Sequence, residues 1–287
     1  MNKIEQKSRI YLIMTAFIWG LGFIGVQGAL DAGWAPMPLL LMRGLIGGIF
    51  LLPFTLKSKW WKNKELLKIG SFTGSMYFLG FAFQTIGQQG STVANSAFLT
   101  ALNVLFVPLL LRLFFKHKLS KRVFVGAAFA CLGTAVLSLT SSFTIQPGDI
   151  YLILGALFFA LQIIYAHRAA RLGDAIAVTV LQLLVMAIWA AIFMPIMNET
   201  TIPSTGWFSV LYVAIFSSAI AFLLQMKGQA HVPPATTTII LSQEATIGTL
   251  ASVILLGQPL TVKIVLGGIL MIMAVFISEG TFEKKIK

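Results

Sequence analysis

A single acidic residue, Glu244, lies in the middle of a long apolar run at residues 235–256. An acidic side chain at the centre of a membrane-spanning helix costs roughly 2.5–3.5 kcal/mol, so it normally faces a bundle interior or a water-filled cavity. There it could receive a proton or pair with the ammonium group of a small molecule. The alternative is a carboxylate that only hydrogen-bonds neighbouring helices, and the energetic cost favours the functional interpretation.

A basic residue, Arg43, lies seven residues after Pro36 in a second apolar run. Its guanidinium group could bind a substrate carboxylate through two parallel hydrogen bonds. It could equally join helices by donating to backbone carbonyl groups, and the two interpretations have equal weight. The sequence leaves open whether Arg43 pairs directly with Glu244.

Uncharged polar and aromatic residues inside the apolar runs complete the candidate site. Amide side chains can bind a substrate or can join helices by hydrogen bonds, and aromatic rings can line a cavity or pack in the core. The candidates for substrate binding or proton coupling are Glu244, Asn103, Arg43, Gln84, Gln225, Gln243, Trp19, Tyr77, Phe81 and Phe222.

Membrane-spanning helices must position these residues. The 287-residue chain is 57% hydrophobic and 10% charged, whereas soluble domains carry about a quarter charged residues. A hydrocarbon core about 30 Å thick requires roughly 20 apolar residues per helix, and barrel strands would alternate over about ten residues. We therefore predict an all-α integral membrane protein with ten transmembrane helices, one for each apolar run: 10–30, 36–56, 66–87, 93–115, 122–139, 149–169, 175–197, 207–226, 235–256 and 262–280.

The positive charges indicate how the chain is oriented. If the ten runs span the membrane, 19 of the 21 Lys and Arg residues lie on the side of the two termini, and only Arg43 and Lys263 do not. The positive-inside rule then predicts a multi-pass protein of the cytoplasmic (inner) membrane with cytoplasmic N- and C-termini. These anchors near anionic lipid headgroups account for the net charge of +12, so no nucleic-acid partner is predicted.

The two halves of the chain share a weak repeat. Ile-Tyr-Leu-Ile occurs at residues 10–13 and at 150–153, an offset of 140. Further along the chain, an offset of 141 relates Phe81 to Phe222, Gln84 to Gln225, Gly126 to Gly267 and Asn103 to Glu244. The alternative is chance identity between apolar helices, but Gln and Gly are among the matches.

This repeat predicts two five-helix units. The first covers residues 1–142, a loop follows at 143–148, and the second covers 149–287 with a short cytoplasmic tail. Because five is odd, the two copies enter the membrane in opposite directions, forming an inverted 5+5 repeat around a central cavity. Such repeats are typical of secondary transporters, in which a site at the membrane midplane is exposed alternately to each side.

Several marks along the chain together resemble the EamA-type branch of the drug/metabolite transporter superfamily. They are Trp19, Gly20, Phe23, Arg43, Pro108, Glu244, and the pairs Leu119-Ser120 and Leu260-Thr261 ahead of Gly126 and Gly267. The resemblance implies a basket of ten helices, with the first four of each half around a central cavity and the fifth and tenth outside it. It also implies export of small metabolites such as amino acids, without an ATP-binding domain.

Enzyme chemistry has no support in the sequence. Cys131 is the single cysteine, no metal-ligand spacing or phosphate-binding loop is present, and we predict no metal and no cofactor. The favoured function is export of a small molecule by alternating access, with protons as a candidate coupling ion and membrane lipids as the surroundings. The alternative is a non-transporting membrane protein, such as a lipid-handling factor or a scaffold. The sequence makes no prediction of the oligomeric state.

Overall fold

A computed structural model describes residues 3–91, 93–138, 146–256 and 260–279, and within these ranges the chain forms helices and no strands. A π-helical segment covers Tyr212–Ile220, and short 3₁₀ turns cover Leu52–Thr55 and Trp60–Lys62. The α-helices are α1 (Lys3–Gly20), α2 (Gly22–Asp31), α3 (Pro36–Leu51), α4 (Lys64–Gln89), α5 (Val93–Thr100), α6 (Asn103–Leu113), α7 (Lys121–Ser138), α8 (Asp149–Ala170), α9 (Ala175–Ile196), α10 (Trp207–Leu211), α11 (Ala221–Gln229), α12 (Pro234–Leu241), α13 (Glu244–Leu256) and α14 (Val262–Glu279).

The apolar runs of the sequence are helical, which confirms the all-α class and the membrane setting. Seven stretches of the described chain are long and apolar enough to cross a membrane, and a shorter apolar helix covers Val262–Ser278. The seven are Lys3–Asp31, Pro36–Thr55, Lys64–Gln89, Asn95–Leu113, Asp149–Ala170, Ala175–Ile196 and Trp207–Gln229. The boundary predicted at 142/143 and the tail after residue 279 lie outside the described ranges.

Three runs are interrupted, although their apolar patterns predict continuous helices. The first divides at Leu21, the fourth at residues 101–102 and the ninth at residues 242–243. The first break lies between two glycines, which weaken a helix by about 1 kcal/mol each relative to alanine. The ninth lies at a Ser-Gln pair, and serine side chains compete with helical backbone bonding; Ser242 Oγ donates to Ile239 O at 2.9 Å.

Two of these breaks place the central candidate residues at helix starts. Asn103 is the first residue of α6 and Glu244 is the first residue of α13. Helix α1 crosses α13 next to the break that precedes Glu244. A Cβ added at Gly20 would lie 2.8 Å from Glu244 O and 2.9 Å from Gly248 N. Discontinuous helices of this kind often form the binding sites of transporters.

The fifth and tenth helices of the predicted order pack against each other. A Cβ added at Gly126 of α7 would lie 2.9 Å from Ala274 O of α14. In the same way, a Cβ added at Gly267 of α14 would lie 3.2 Å from Gly133 O of α7. No described residue of either helix lines the central cavity reported below.

Close approach between α3 and α9 depends on Gly44. A Cβ added there would lie 2.5 Å from Leu183 O and 2.8 Å from the Ala187 Cβ. Backbone atoms cannot move aside as a flexible side chain can, so the two helices would have to separate. Overpacking of this kind costs about 1–3 kcal/mol.

We therefore expect Gly44→Ala to lower the thermal midpoint of the purified protein in detergent by several degrees, since each kcal/mol corresponds to about 2–4 °C for a chain of this size. Gly268→Ala is the matched control, because a Cβ added at Gly268 meets only the Thr246 methyl group, at 3.7 Å. Size-exclusion profiles after heating measure both variants. Equal midpoints for the two variants would show that the α3–α9 contact tolerates a methyl group.

Candidate functional site

A central cavity of about 550 Å³ lies where the interrupted helices meet. It extends along α2 in the direction of Asp31, because Phe23 and Val26 belong to its wall. Its wall combines aromatic rings with a few polar and charged groups, as small-molecule sites do. The lining residues are Trp19, Gly22, Phe23, Val26, Arg43, Phe81, Gln84, Thr100, Asn103, Phe159, Gln162, Ile163, Ser217, Phe222 and Glu244.

Glu244 reaches this cavity from the start of α13, and its side chain is half-buried. Within the described chain its carboxyl group makes no side-chain hydrogen bond and no ion pair. Polar groups buried in a protein normally have partners. An acidic group that faces a cavity without one is available to a ligand or a proton.

Arg43 lines the same cavity and is completely shielded from solvent. Its Nε donates to Ser218 Oγ at 3.0 Å, and its guanidinium carbon lies 4.0 Å from the centre of the Phe81 ring. Nη1 has no hydrogen-bond partner in the described chain. Arg43 and Glu244 form no direct ion pair, so each retains capacity for a bound molecule.

The π-helical segment Tyr212–Ile220 holds both the Arg43 and the Trp19 side chains. Ser218 Oγ accepts from Arg43 and donates to Val213 O at 2.7 Å. Ser217 O accepts from Trp19 Nε1 at 2.9 Å. Wider helical turns of this type occur frequently at functional sites, and here the segment supplies a hydroxyl and a carbonyl acceptor at the cavity wall.

Aromatic rings form the apolar part of the wall. The Trp19 and Phe222 ring centres are 4.7 Å apart, and those of Phe81 and Phe159 are 4.9 Å apart in an edge-to-face arrangement. Tyr77 lies behind this layer, with its ring centre 4.2 Å from that of Phe222 and its side chain fully buried. The rings surround the charged groups with apolar surface, and electrostatic interactions are stronger in such surroundings than in water.

Amide side chains border the cavity on several helices. Asn103 is half-buried and makes no side-chain hydrogen bond within the described ranges. Gln84 Nε2 donates to Thr100 Oγ1 at 3.3 Å, and Gln162 Nε2 donates to Gln182 Oε1 at 2.9 Å. Asn103 is therefore the amide in this group with the most capacity for a ligand.

The structure brings seven of the ten sequence candidates into the cavity wall and leaves three outside it. Gln243 lies in the break between α12 and α13 and instead donates from Nε2 to Met271 O of α14 at 2.9 Å. Gln225 is fully buried and is not a lining residue, and Tyr77 supports the wall from behind. The seven are Glu244, Asn103, Arg43, Gln84, Trp19, Phe81 and Phe222.

Sequence reasoning missed several wall residues. Phe159 follows Trp19 at the repeat offset of 140, so the repeat contained a signal for it. Thr100 lies one turn before Asn103. Ser217 and Ser218 gave no clear signal, since their role depends on the local π-helical geometry.

An apolar cluster closes the cavity on the side of the N-terminus. Leu12 of α1, Val107 and Leu111 of α6, and Ile240 and Leu241 of α12 pack together and are almost entirely buried. Helices α1 and α6 also carry the lining residues Trp19 and Asn103, and α12 ends shortly before Glu244. In this state the cavity is thus separated from the N-terminal side by packed side chains.

A second set of contacts lies towards the other side of the membrane. Gln88 Nε2 donates to Gln27 Oε1 at 3.1 Å and to Phe23 O at 3.3 Å. Gln27 in turn donates to Asp31 Oδ1 at 2.7 Å. Ser91 Oγ donates to Asp149 Oδ1 at 2.6 Å, which links the two halves of the chain. These contacts are polar, in contrast to the apolar cluster on the N-terminal side.

Comparison with known proteins places this geometry in a family of transporters. The model of the EamA-like transporter family matches the chain twice, at residues 6–139 and 146–279. A solved crystal structure of a protein superimposes with a TM-score of 0.79 and covers 96% of this chain and 97% of that one. At 16% sequence identity this match indicates the fold alone.

Relatives found by sequence are also transporters by name. An uncharacterized transporter of Archaeoglobus fulgidus is 32% identical over 278 residues, covering 95% of this chain and 87% of the relative. The uncharacterized transporter YyaM of Bacillus subtilis is 22% identical, covering 73% and 72%. The uncharacterized inner membrane transporter YedA of Escherichia coli K12 is 25% identical, covering 77% and 74%. The names are those of transporters rather than enzymes.

Proposed function

This chain belongs to the EamA-like transporter family, and we propose that it is a secondary transporter that exports small metabolites, amino acids or related compounds, across the cytoplasmic membrane by alternating access. The central cavity is the proposed binding site. Transport is favoured over a lipid-handling or scaffold role because the relatives are named as transporters.

One observation supports an amino-acid substrate above others. The cavity contains one acidic and one basic side chain, each with capacity for a partner: the Glu244 carboxyl and Nη1 of Arg43. An amino acid at neutral pH has an ammonium and a carboxylate group. In our proposal Glu244 pairs with the ammonium group and Arg43 with the carboxylate, while Asn103 adds a neutral hydrogen bond.

The aromatic wall fits the rest of such a substrate. Trp19, Phe81, Phe159 and Phe222 surround the charged groups with apolar surface. An apolar or amphipathic side chain would gain about 25 cal/mol for each Å² of apolar surface that it removes from water. The proposed substrate is therefore zwitterionic at one end and apolar at the other.

The inverted ten-helix repeat that we propose is supported by contacts related by the sequence offsets. A Cβ added at Gly228 would lie 2.6 Å from Leu12 Cγ, and one added at Gly87 would lie 2.7 Å from Leu152 Cγ. Gly87 and Gly228 differ by 141 positions, and Leu12 and Leu152 differ by 140. The contact between α1 and α11 thus has a counterpart between α8 and α4, as a pseudo-twofold axis requires.

Contacts between α7 and α14 follow the same rule. Gly126 approaches Ala274, and Gly267 approaches Gly133. Gly126 of α7 and Gly267 of α14 are 141 positions apart, and so are Gly133 of α7 and Ala274 of α14. The second contact is therefore the first with the two helices exchanged. The two matches to the family model, at 6–139 and 146–279, also support one repeat in each half.

The cavity wall has this pseudo-symmetry too, but its charges do not. Five pairs of lining residues follow the offsets: Trp19 and Phe159, Gly22 and Gln162, Phe23 and Ile163, Phe81 and Phe222, and Asn103 and Glu244. Arg43, however, corresponds to Leu184, and Glu244 corresponds to a neutral amide. The first half therefore supplies the positive charge and the second half the negative one, which would orient a zwitterion between them.

Alternating access would exchange the two closures around this site. In the described state the apolar cluster of Leu12, Val107 and Ile240 blocks the N-terminal side. We propose that the two halves rock so that this cluster separates and the opposite end of the cavity closes. Either proton antiport, with Glu244 as the group that exchanges the proton, or facilitated exchange would supply the energy. Efflux that acidifies the proteoliposome lumen would indicate antiport.

The proposed orientation has the N- and C-termini in the cytoplasm, so that the apolar cluster faces inward and the cavity extends outward. It depends on the distribution of Lys and Arg residues along the chain. A fluorescent protein fused after residue 287 should fold and fluoresce in cells, whereas a periplasmic phosphatase at that position should be inactive. The opposite pair of results would reverse the orientation.

Counterflow tests the function itself. Proteoliposomes loaded with an unlabelled amino acid should accumulate the same labelled amino acid, and empty liposomes should not. A panel of apolar, aromatic and polar amino acids covers the proposed substrate class. If the protein elutes as a folded species and accumulates none of them, the amino-acid proposal is wrong.

A further inference from the structure

A second cavity lies on the membrane-facing surface, apart from the central one. This lateral groove, of about 1030 Å³, runs between the N-terminal part of α1, the junction of α12 with α13, and α14. It shares no lining residue with the central cavity. Its lining residues are Gln6, Arg9, Ile10, Ile13, Ile240, Gln243, Ile272, Val275 and Phe276.

The walls of the lateral groove are largely aliphatic and face outward. Ile13 and Ile272, on the two opposite sides, are 52% and 51% exposed. In a chain that spans the membrane, such surfaces face acyl chains rather than water. A hydrocarbon chain lying along the groove would cover side chains that no other part of the described chain covers.

A basic residue occupies one end of the groove. Arg9 is 22 residues before Asp31 along the combined length of α1 and α2, a distance of about 33 Å at 1.5 Å per residue. This distance is close to the thickness of the hydrocarbon core. If Asp31 lies at one membrane surface, Arg9 therefore lies at the level of the lipid headgroups on the other.

The charges around Arg9 favour an anion at this level. Lys3 and Lys7 precede it on the same helix, and Glu5 is the one acidic residue among them, so the segment has a net charge of +2. A guanidinium group binds phosphate oxygens in a bidentate manner. Gln6, one turn earlier in the groove wall, offers an amide donor beside it.

From this combination we propose that the lateral groove binds one anionic phospholipid from the leaflet on the N-terminal side. Its phosphate lies at Arg9 and Gln6, and one acyl chain lies between Ile13 and Ile272. A neutral zwitterionic lipid fills the apolar part but gains less at the basic end. The proposal does not depend on which metabolite the central cavity holds.

The far end of the groove reaches the helix break next to the transport site. Gln243 belongs to the groove wall and is tied to α14 by its hydrogen bond to Met271 O. Glu244, the next residue, faces the central cavity. The end of the bound acyl chain therefore contacts the segment that positions Glu244.

Native mass spectrometry of the full-length protein tests the proposal. The protein is equilibrated with phosphatidylglycerol or with phosphatidylcholine of identical acyl chains, and the retained lipid is counted. We expect one phosphatidylglycerol to be retained about fivefold more strongly than phosphatidylcholine, as one basic residue near the surface allows. Arg9→Gln should reduce phosphatidylglycerol retention to the level of phosphatidylcholine.

Two further variants separate a bound lipid from general surface charge. Ile13→Trp fills the groove but keeps Arg9, so it should lower retention of both lipids. Lys7→Gln removes a charge two residues away, where Lys7 lies 5.8 Å from the Tyr11 ring centre and outside the groove, so it should lower phosphatidylglycerol retention much less than Arg9→Gln does. Equal retention of the two lipids by the wild type, an equal loss in Lys7→Gln and Arg9→Gln, or no effect of Ile13→Trp would each overturn the proposal.

Discussion

Replacing Glu244 with Gln is expected to lower the exchange of amino acids across proteoliposome membranes by about 10- to 100-fold. The change keeps the size and shape of the side chain and removes its charge. Hydrogen bonds to charged groups contribute about 1.5–3 kcal/mol, which corresponds to this range of rate or affinity. Because no described side chain pairs with Glu244, the fold should lose little, and the loss should be in transport.

Glu65→Gln is the matched control for this experiment. Glu65 is the same residue type, but it is exposed, pairs with Arg168 at 3.7 Å and is not among the residues that line the cavity. Exposed pairs of this kind contribute about 0–1 kcal/mol. Equal exchange rates in wild type, Glu244→Gln and Glu65→Gln would mean that the Glu244 carboxyl group has no part in transport.

A second large effect is expected at Arg43, and it should depend on the substrate. Arg43→Gln removes the group proposed to bind the carboxylate, so exchange of the preferred amino acid should fall by at least about 30-fold, since losing a buried charged partner costs about 2–5 kcal/mol. The methyl ester of that amino acid keeps the amine but has no carboxylate, so the variant should exchange the ester at a rate much closer to that of the wild type. The ratio of the two exchange rates separates binding of the carboxylate from a general structural defect.

Structural effects of this change must be measured beside it, because Arg43 also donates to Ser218 and lies over the Phe81 ring. Arg43→Lys keeps the charge but not the planar guanidinium group, so it should recover part of the exchange. Arg171→Gln, at an exposed position on the loop after α8, is the control for loss of one positive charge. If amino acid and ester lose exchange equally in Arg43→Gln, Arg43 supports the helices and does not bind substrate.

The membrane class and the helices follow from the sequence because burying a backbone in lipid leaves few alternatives. Long apolar runs must form helices there, and Glu244 and Arg43 must face a polar interior. Both residues do line the central cavity. Asn103 was found by its offset from Glu244, because a repeat relates positions even where the residue types differ.

Which side chains face the cavity depends on the rotation of each helix about its axis. A run that is apolar on every side does not reveal this rotation. Gln84 and Gln225 are equivalent by the repeat, yet only Gln84 reaches the cavity. Phe222, on the same helix as Gln225, does line the cavity, as its counterpart Phe81 does, so equivalence by the repeat does not fix each side chain. Gln243 is a different case, because it lies in the break between α12 and α13 and its side chain is occupied by the hydrogen bond to Met271 O of α14.

The helix breaks show a similar limit. Leu21 has an apolar side chain, and its break depends on the neighbouring glycines and on the close approach of α1 to α13 at Gly20 and Gly248. Such an approach is a tertiary contact that no local pattern contains. The Ser-Gln pair before Glu244 was visible in the sequence, but polar residues in a membrane helix predict a cavity as readily as a break.

In our proposal, one substrate molecule contacts Glu244 and Arg43 at the same time. Competition in wild-type counterflow tests it most directly, with the preferred amino acid, its methyl ester and its deaminated acid as unlabelled competitors. Each analogue lacks one of the two charged groups, so both should compete at least about tenfold more weakly than the amino acid. If either analogue competes as well as the amino acid, one of the two proposed contacts does not exist and the proposal is contradicted.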